Sequence, residues 1–235
     1  MTTATRFDLA GLTTVMVGPS DAPLTVVLLH GFGAPGDDLV ALADHLDAPA
    51  RCVFPAAPLE LGGMYGSARA WWLLDLARLE NQLRRGVPTD LRAEVPEGLP
   101  AVRAQLLRFL DELQARHAIP DDRLVLGGFS QGAMLSLDVA LHRDRPLAGL
   151  VLLSATLVAE AEWKPRMARL ADLPIMMSHG RADQLLPFAV SDALRGQLEA
   201  AGARVAWHPF RGGHEIPSEV LEAAGSFLRD RATVS

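Results

Sequence analysis

Uninterrupted apolar runs recur along the chain, among them Val26-Val27-Leu28-Leu29 and Leu150-Val151-Leu152-Leu153. A strand wetted on one face alternates apolar and polar residues, whereas a strand covered on both faces reads as a continuous apolar run. The runs predict strands at residues 12–17, 25–30, 51–54, 123–127, 149–154, 174–179 and 204–209. Between them the apolar period lengthens to that of a helix. Residues 100–117 place Val102, Leu106, Leu107, Leu110 and Leu113 on one face, and 131–142, 189–201 and 218–231 read the same way. Ser218 suits the cap of the last helix, with Glu222 in the next turn.

Strands alternating with helices predict an α/β fold, a mostly parallel sheet with helices on both faces. Nothing resembling a repeat or linker divides residues 1–235, so a single domain is expected. Residues 73–99 carry charge, Gly86, Pro88 and Pro96, and are expected to form a helix followed by a loop over the sheet edge or the site.

Composition narrows the functions open to such a fold. Hydrophobic residues make up 49% and charged residues 21%, as in a globular protein. The net charge is 22 − 28 = −6, and the longest basic run is Arg84-Arg85. A nucleic-acid partner needs a basic footprint and is not expected. The single cysteine, Cys52, excludes an internal disulfide. The longest apolar stretches, 24–29 and 147–159, fall short of the roughly 20 residues that cross a bilayer, so no stable membrane insertion is expected. Residues 1–8 lack an apolar core behind a basic head, and a cytoplasmic location is the expectation.

The chemistry concentrates after the fourth predicted strand. Gly128-Phe129-Ser130-Gln131-Gly132 stands between an apolar strand and a helix continuing from Ala133. A serine flanked by glycines two residues away on each side fits a sharp strand-to-helix turn, the nucleophile elbow. Larger side chains at the glycine positions would clash, and the hydroxyl would project above a helix N-terminus that favours a developing oxyanion.

A serine hydroxyl needs a base. Of seven histidines, His214 follows Gly212-Gly213 in a loop between the last strand and the last helix, free to swing over the carboxyl edge of the sheet. The residue that orients the base is expected to be Asp183, just past a strand. Asp192 competes but falls inside a helix, Asp172 precedes its strand, and Glu215 adjoins His214 too closely to face its ring. Two N–H donors for an oxyanion are expected from Gln131 and from Phe32, in the His30-Gly31-Phe32-Gly33 segment after the first long apolar strand. Trp71, Trp72, Met64 and Tyr65 are candidates to line a substrate pocket, with plain core packing the alternative.

The segments Leu29-His30-Gly31-Phe32-Gly33, Phe54-Pro55-Ala56-Ala57-Pro58, Gly128-Phe129-Ser130-Gln131-Gly132, His179-Gly180-Arg181-Ala182-Asp183 with Leu186-Pro187-Phe188, and Gly213-His214-Glu215 together resemble the phospholipase/carboxylesterase family of α/β-hydrolases. The resemblance covers roughly residues 26–227 and implies an α/β-hydrolase fold. It implies hydrolysis of carboxylic esters, with thioesters or lysophospholipids as further substrates. It assigns the nucleophile to Ser130, the acid to Asp183, the base to His214 and the oxyanion donors to Phe32 and Gln131. It implies no metal and no organic cofactor. The partner expected is a small-molecule ester, and a homodimer is compatible with the sequence. This chain reads Gly33-Ala34-Pro35-Gly36-Asp37 and Trp71-Trp72-Leu73-Leu74-Asp75 where the family carries Gly-Asp and Trp-Phe-Asp. A non-catalytic receptor on the same fold, or an amide or lactone hydrolase, stands as the alternative.

Overall fold

The computed structural model describes residues 4–62, 66–75, 77–78, 81, 84–86 and 90–233. Its centre is an eight-stranded sheet ordered β1-β2-β4-β3-β7-β8-β9-β10. The strands are β1 (Thr5–Leu9), β2 (Leu12–Val17), β3 (Leu24–Leu29), β4 (Ala50–Pro55), β7 (Leu124–Phe129), β8 (Gly149–Leu153), β9 (Pro174–Gly180) and β10 (Arg204–Phe210), while β5 (Leu59–Glu60) and β6 (Arg69–Ala70) form a separate small ladder. From β4 through β10 the main sheet is parallel, and β1 and β2 join its edge antiparallel.

Alternate residues of the apolar runs pack on opposite faces. Val27 and Leu29 of β3, Leu124 and Leu126 of β7, and Leu150 and Leu152 of β8 face one cluster. Leu24, Val26 and Leu28 of β3, Val125 of β7, and Val151 and Leu153 of β8 face the other. Each such fully buried side chain contributes about 1.5–3 kcal/mol relative to exposure, which is why both faces must be covered. The first cluster is covered by α1 (Leu99–His117), α2 (Gln131–His142), α3 (Glu160–Trp163, running on as 3₁₀ turns to Leu170) and α4 (Phe188–Ala200). The second is covered by α5 (Ser218–Thr233), with a 3₁₀ segment, Val40–Asp44, packed alongside.

Several expectations need correction. β1 was not predicted, because its Phe7 and Leu9 are only half-buried and alternate with polar residues on an edge. It is joined to β2 through Ala10 and Gly11, both at positive φ (49° and 77°), the tight turn that suits a right-twisted hairpin. α3 was also missed; at four residues it is shorter than any periodicity can register. Ser218 is the first residue of α5 rather than its cap. Arg123 belongs to a 3₁₀ turn before β7. Within 73–99, the carbonyls of Arg92 and Glu94 accept the N–H groups of Glu160 and Ala159, so this stretch is tied to the start of α3. Among the described residues no helix is long and apolar enough to cross a membrane.

Candidate active site

Strand order reverses between β3 and β7: the chain leaves β3 towards β4 on one side and resumes with β7 on the other. Such a switch point opens a crevice at the carboxyl ends of the strands. The loops after β3 and β7 meet there.

Ser130 follows β7 at φ 54°, ψ −118°, outside the regions an L-residue prefers. Strain of this kind costs about 1–3 kcal/mol and persists only where its surroundings enforce it. The enforcement is visible in the glycines. A Cβ on Gly132 would lie 2.1 Å from the Leu29 carbonyl oxygen, and one on Gly128 would lie 2.4 Å from the same atom. The elbow is therefore pressed against the end of β3. The Ser130 N–H donates to the Leu153 carbonyl (2.8 Å), and its carbonyl accepts from Met134 (3.0 Å), which starts α2.

The Ser130 hydroxyl meets His214 Nε2 at 2.8 Å. On the far side of the ring, Nδ1 meets Asp183 Oδ2 at 2.7 Å. A carboxylate only accepts, so Nδ1 carries the proton and Nε2 is the lone-pair nitrogen facing the serine. The ring packs 4.8 Å from that of Phe129. Asp183 Oδ1 accepts the N–H groups of Leu185 and Leu186, both at 2.9 Å. Burial by itself would raise the Asp183 pKa. Hydrogen bonding to His179, His214 and the Leu186 N–H outweighs it and holds the carboxyl far below the usual carboxylate range.

Gly180 lets the acid loop and the base loop touch: a Cβ there would lie 2.1 Å from the Gly213 carbonyl oxygen. Two backbone bonds seal the contact, from Arg181 to Phe210 and from Ala182 to Gly212, each 2.9 Å.

The His30–Gly33 loop runs beside the serine, and a Cβ on Gly31 would come within 3.5 Å of the Ser130 Cβ. Among the described residues the N–H groups of Phe32 and Gln131 have no hydrogen-bond partner. The loop is held from behind. His30 is buried, its Nδ1–H donating to the Gly31 carbonyl (2.8 Å) and its Nε2 accepting from Ala57 N–H (3.0 Å). Burial lowers its pKa, against the raising effect of the Gly31 bond. Trp71 Nε1 donates to the His30 carbonyl (2.9 Å).

A match to the model of the phospholipase/carboxylesterase family extends over residues 12–231. The chain belongs to that family. The acyl-protein thioesterase 1 of Schizosaccharomyces pombe is 28% identical to it over 231 residues, covering 94% of this chain and 96% of that one. The protein of the same name from Neurospora crassa is 28% identical over 217 residues, 88% and 86% of the two chains. The crystal structure of esterase PE8 superimposes with a TM-score of 0.78 at 30% identity, over 93% of this chain and 98% of that chain. A Bacillus cereus carboxylesterase, at 22% identity and TM-score 0.69, shares the fold over 94% of each chain. The phospholipase/carboxylesterase assignment makes this chain a hydrolase of the serine esterase type, with the α/β-hydrolase fold.

Among the residues singled out from the sequence, Ser130, His214 and Asp183 form one hydrogen-bonded chain, Gln131 follows the serine, and Phe32 follows Gly31, which approaches it. Trp71 and Trp72 are each 1% exposed and belong to the core. Trp72 also borders a cleft of about 320 Å³ shared with Leu73, Leu91 and Val95. The Gln131 side chain clamps both tryptophans, its Oε1 accepting from Trp71 N–H and its Nε2 donating to the Trp72 carbonyl, both at 2.9 Å. Met64 and Tyr65 lie outside the described residues. Asp192 is on α4 and pairs with Arg195. Cys52 is buried, its thiol pushed up to about 12 by that burial, and supplies no thiolate at neutral pH. Sequence reasoning missed the supports, His30, His179 and Gly180. The glycine after His179 was a signal of close backbone approach, but nothing in the sequence said what approached.

Proposed function

We propose that this enzyme hydrolyses carboxylic esters of small or medium acyl groups through an acyl-serine intermediate, with Ser130 as nucleophile, His214 as general base and Asp183 orienting it. The observation that carries the reading is the hydrogen-bonded chain Ser130 Oγ–His214 Nε2–His214 Nδ1–Asp183 Oδ2, at 2.8 and 2.7 Å, starting from a strained residue at a helix N-terminus.

His214 Nε2 takes the proton as Ser130 Oγ attacks the ester carbonyl. The oxyanion is received by the N–H groups of Phe32 and Gln131, aided by the positive end of α2. Asp183 keeps the imidazole in the tautomer that leaves Nε2 free and stabilises the imidazolium. Collapse passes the proton to the departing alcohol. Water, deprotonated by the same nitrogen, then releases the acid and restores Ser130. This chemistry calls on no metal or organic cofactor.

Exposed apolar side chains support an acyl substrate. The exposed large hydrophobic side chains among the described residues are Leu59, Leu73, Val95 and Leu185. Leu185 is two residues past Asp183, Leu73 follows the clamped tryptophans, and Val95 shares a cleft of about 320 Å³ with residues 72–75. Thioesters and lysophospholipids fit the same machinery, and the relatives' name, acyl-protein thioesterase, brings thioesters into the reading. A cytoplasmic location and a small-molecule ester partner belong to the same proposal.

The test is turnover of p-nitrophenyl esters from acetate to laurate by the parent and by Ser130→Ala. The expected result is an active parent with a preferred chain length and an inactive variant. A parent inert to every ester, or a variant that keeps its rate, would overturn the reading and favour a non-catalytic receptor or hydrolysis of another bond.

A further inference from the structure

Behind the Ser130–His214–Asp183 chain sits a second imidazole. His179 is the next-to-last residue of β9 and is fully buried. Its Nε2 lies 2.8 Å from the Leu186 carbonyl oxygen and 3.3 Å from Asp183 Oδ2. A carbonyl oxygen only accepts, so Nε2 carries the proton, and that N–H lies between two acceptors. The ring's edge packs on Phe188 at 6.2 Å.

Two hydrogen bonds and one close approach link His179 to Asp183. His179 Nε2–H reaches the Leu186 carbonyl; the Leu186 N–H donates to Asp183 Oδ1 (2.9 Å); Asp183 Oδ2 receives His214 and faces His179 again. The path of residues 183–186 is thus tied to one N–H, and Asp183 Oδ2 stands 3.3 Å from the same nitrogen. The other ring nitrogen, Nδ1, is buried without a hydrogen-bond partner among the described residues. A side chain kept only to fill this volume would need neither nitrogen, and a phenylalanine or leucine would avoid burying an unsatisfied one. The orphaned Nδ1 is tolerated where the Nε2–H has work to perform. The neighbouring charges are otherwise engaged: the Arg181 guanidinium lies over the Phe188 ring at 4.9 Å, and Glu215 accepts the Gly213 N–H.

We propose that His179 is a positioning residue for the esterase reaction, its Nε2–H fixing the Asp183 carboxylate so that Oδ2 meets His214. This rests on the function proposed above. It makes a hydrogen-bond donor at position 179, rather than an aromatic ring, the requirement for full turnover.

The experiment compares the parent with His179→Phe, His179→Gln and His179→Asn, with Ser130→Ala alongside, using a p-nitrophenyl ester at the preferred chain length and a fluorophosphonate to count reactive serines. With phenylalanine, kcat falls roughly ten-fold or more, as for loss of one hydrogen bond to a charged group, while KM stays within about two-fold because substrate does not touch the residue. The pH profile of kcat/KM changes as well, because the carboxylate facing the imidazolium is no longer fixed. The fluorophosphonate reaction slows by the same factor but still reaches one label per chain. Glutamine, whose amide N–H has about the reach of Nε2–H, recovers most of kcat. If the phenylalanine variant does not fold, the comparison passes to glutamine against the shorter asparagine, with glutamine the faster by a similar factor. A phenylalanine variant with the parent's kcat and pH profile, or glutamine no better than phenylalanine or asparagine, would overturn the assignment and reduce His179 to packing. Retention of activity by Ser130→Ala would instead sink the esterase reading itself, and the two failures are told apart by that control.

Discussion

At the carboxyl edge of the parallel strands the backbone is forced through φ 54° at Ser130, two amides have no hydrogen-bond partner among the described residues, and leucines face solvent. At the amino edge a cleft of about 580 Å³ is lined by Arg143, Arg145, Arg169, Arg204 and by Asp122 and Asp144. Its charges are mostly spent on one another. Arg143 reaches Asp111 at 3.2 Å, Arg145 reaches Asp121 at 2.8 Å, and Arg169 reaches Asp144 at 2.8 Å. The carboxyl edge instead gathers Ser130, His214 and Asp183 into one hydrogen-bonded chain. Convergence of such groups, rather than volume, is the mark of a candidate site.

The sharpest way to break this comparison is Ser130→Ala. Ester turnover should drop on the order of 10⁴-fold or more, about 5.5 kcal/mol of barrier, with the melting temperature little changed. Asp183→Asn comes next, with kcat expected to fall roughly 10³- to 10⁴-fold because the imidazole loses its anchored tautomer. The same variant tests the electrostatics. The folded carboxyl titrates below its ordinary value of 3.8, so its stabilising contribution is complete at neutral pH and is lost as pH falls below about 4 towards the folded value. Melting temperatures measured from pH 7 down to about 3 should therefore fall more steeply for the parent than for the asparagine variant; parallel curves would contradict that account.

Gly132→Ala attacks the elbow without touching a reacting group. Its Cβ would meet backbone oxygens of Leu29 and His30 at 2.1 and 2.6 Å, and denaturant unfolding should reveal a loss of about 3 kcal/mol or more. Arg143→Met probes the other edge. Removing this buried guanidinium from Asp111 and Gln114 should lower stability by about 2 kcal/mol, with kcat/KM within roughly two-fold of the parent. Turnover that collapses with Arg143→Met would show that the two edges are not independent.

Much of this arrangement was legible beforehand. The apolar runs of β3, β7 and β8 read as doubly covered strands because period-two burial on two faces leaves no polar positions. The serine between Gly128 and Gly132 was readable because so few residues tolerate that turn. β1 and α3 were not, since an edge strand shares its pattern with loops and four residues hold barely one helical turn.

Local rules of sterics and periodicity operate within a few residues, and these the sequence by itself determined: the parallel sheet, the elbow, and the loops bearing Asp183 and His214. Which groups then stand opposite one another is decided across 31 or 84 positions, the separations of His214 from Asp183 and from Ser130. Only the tertiary structure could withdraw Trp71 and Trp72 into the core under the Gln131 clamp, or bring His179 behind Asp183. Those placements depend on how whole strands and loops pack, and no local pattern encodes a packing partner so distant along the chain.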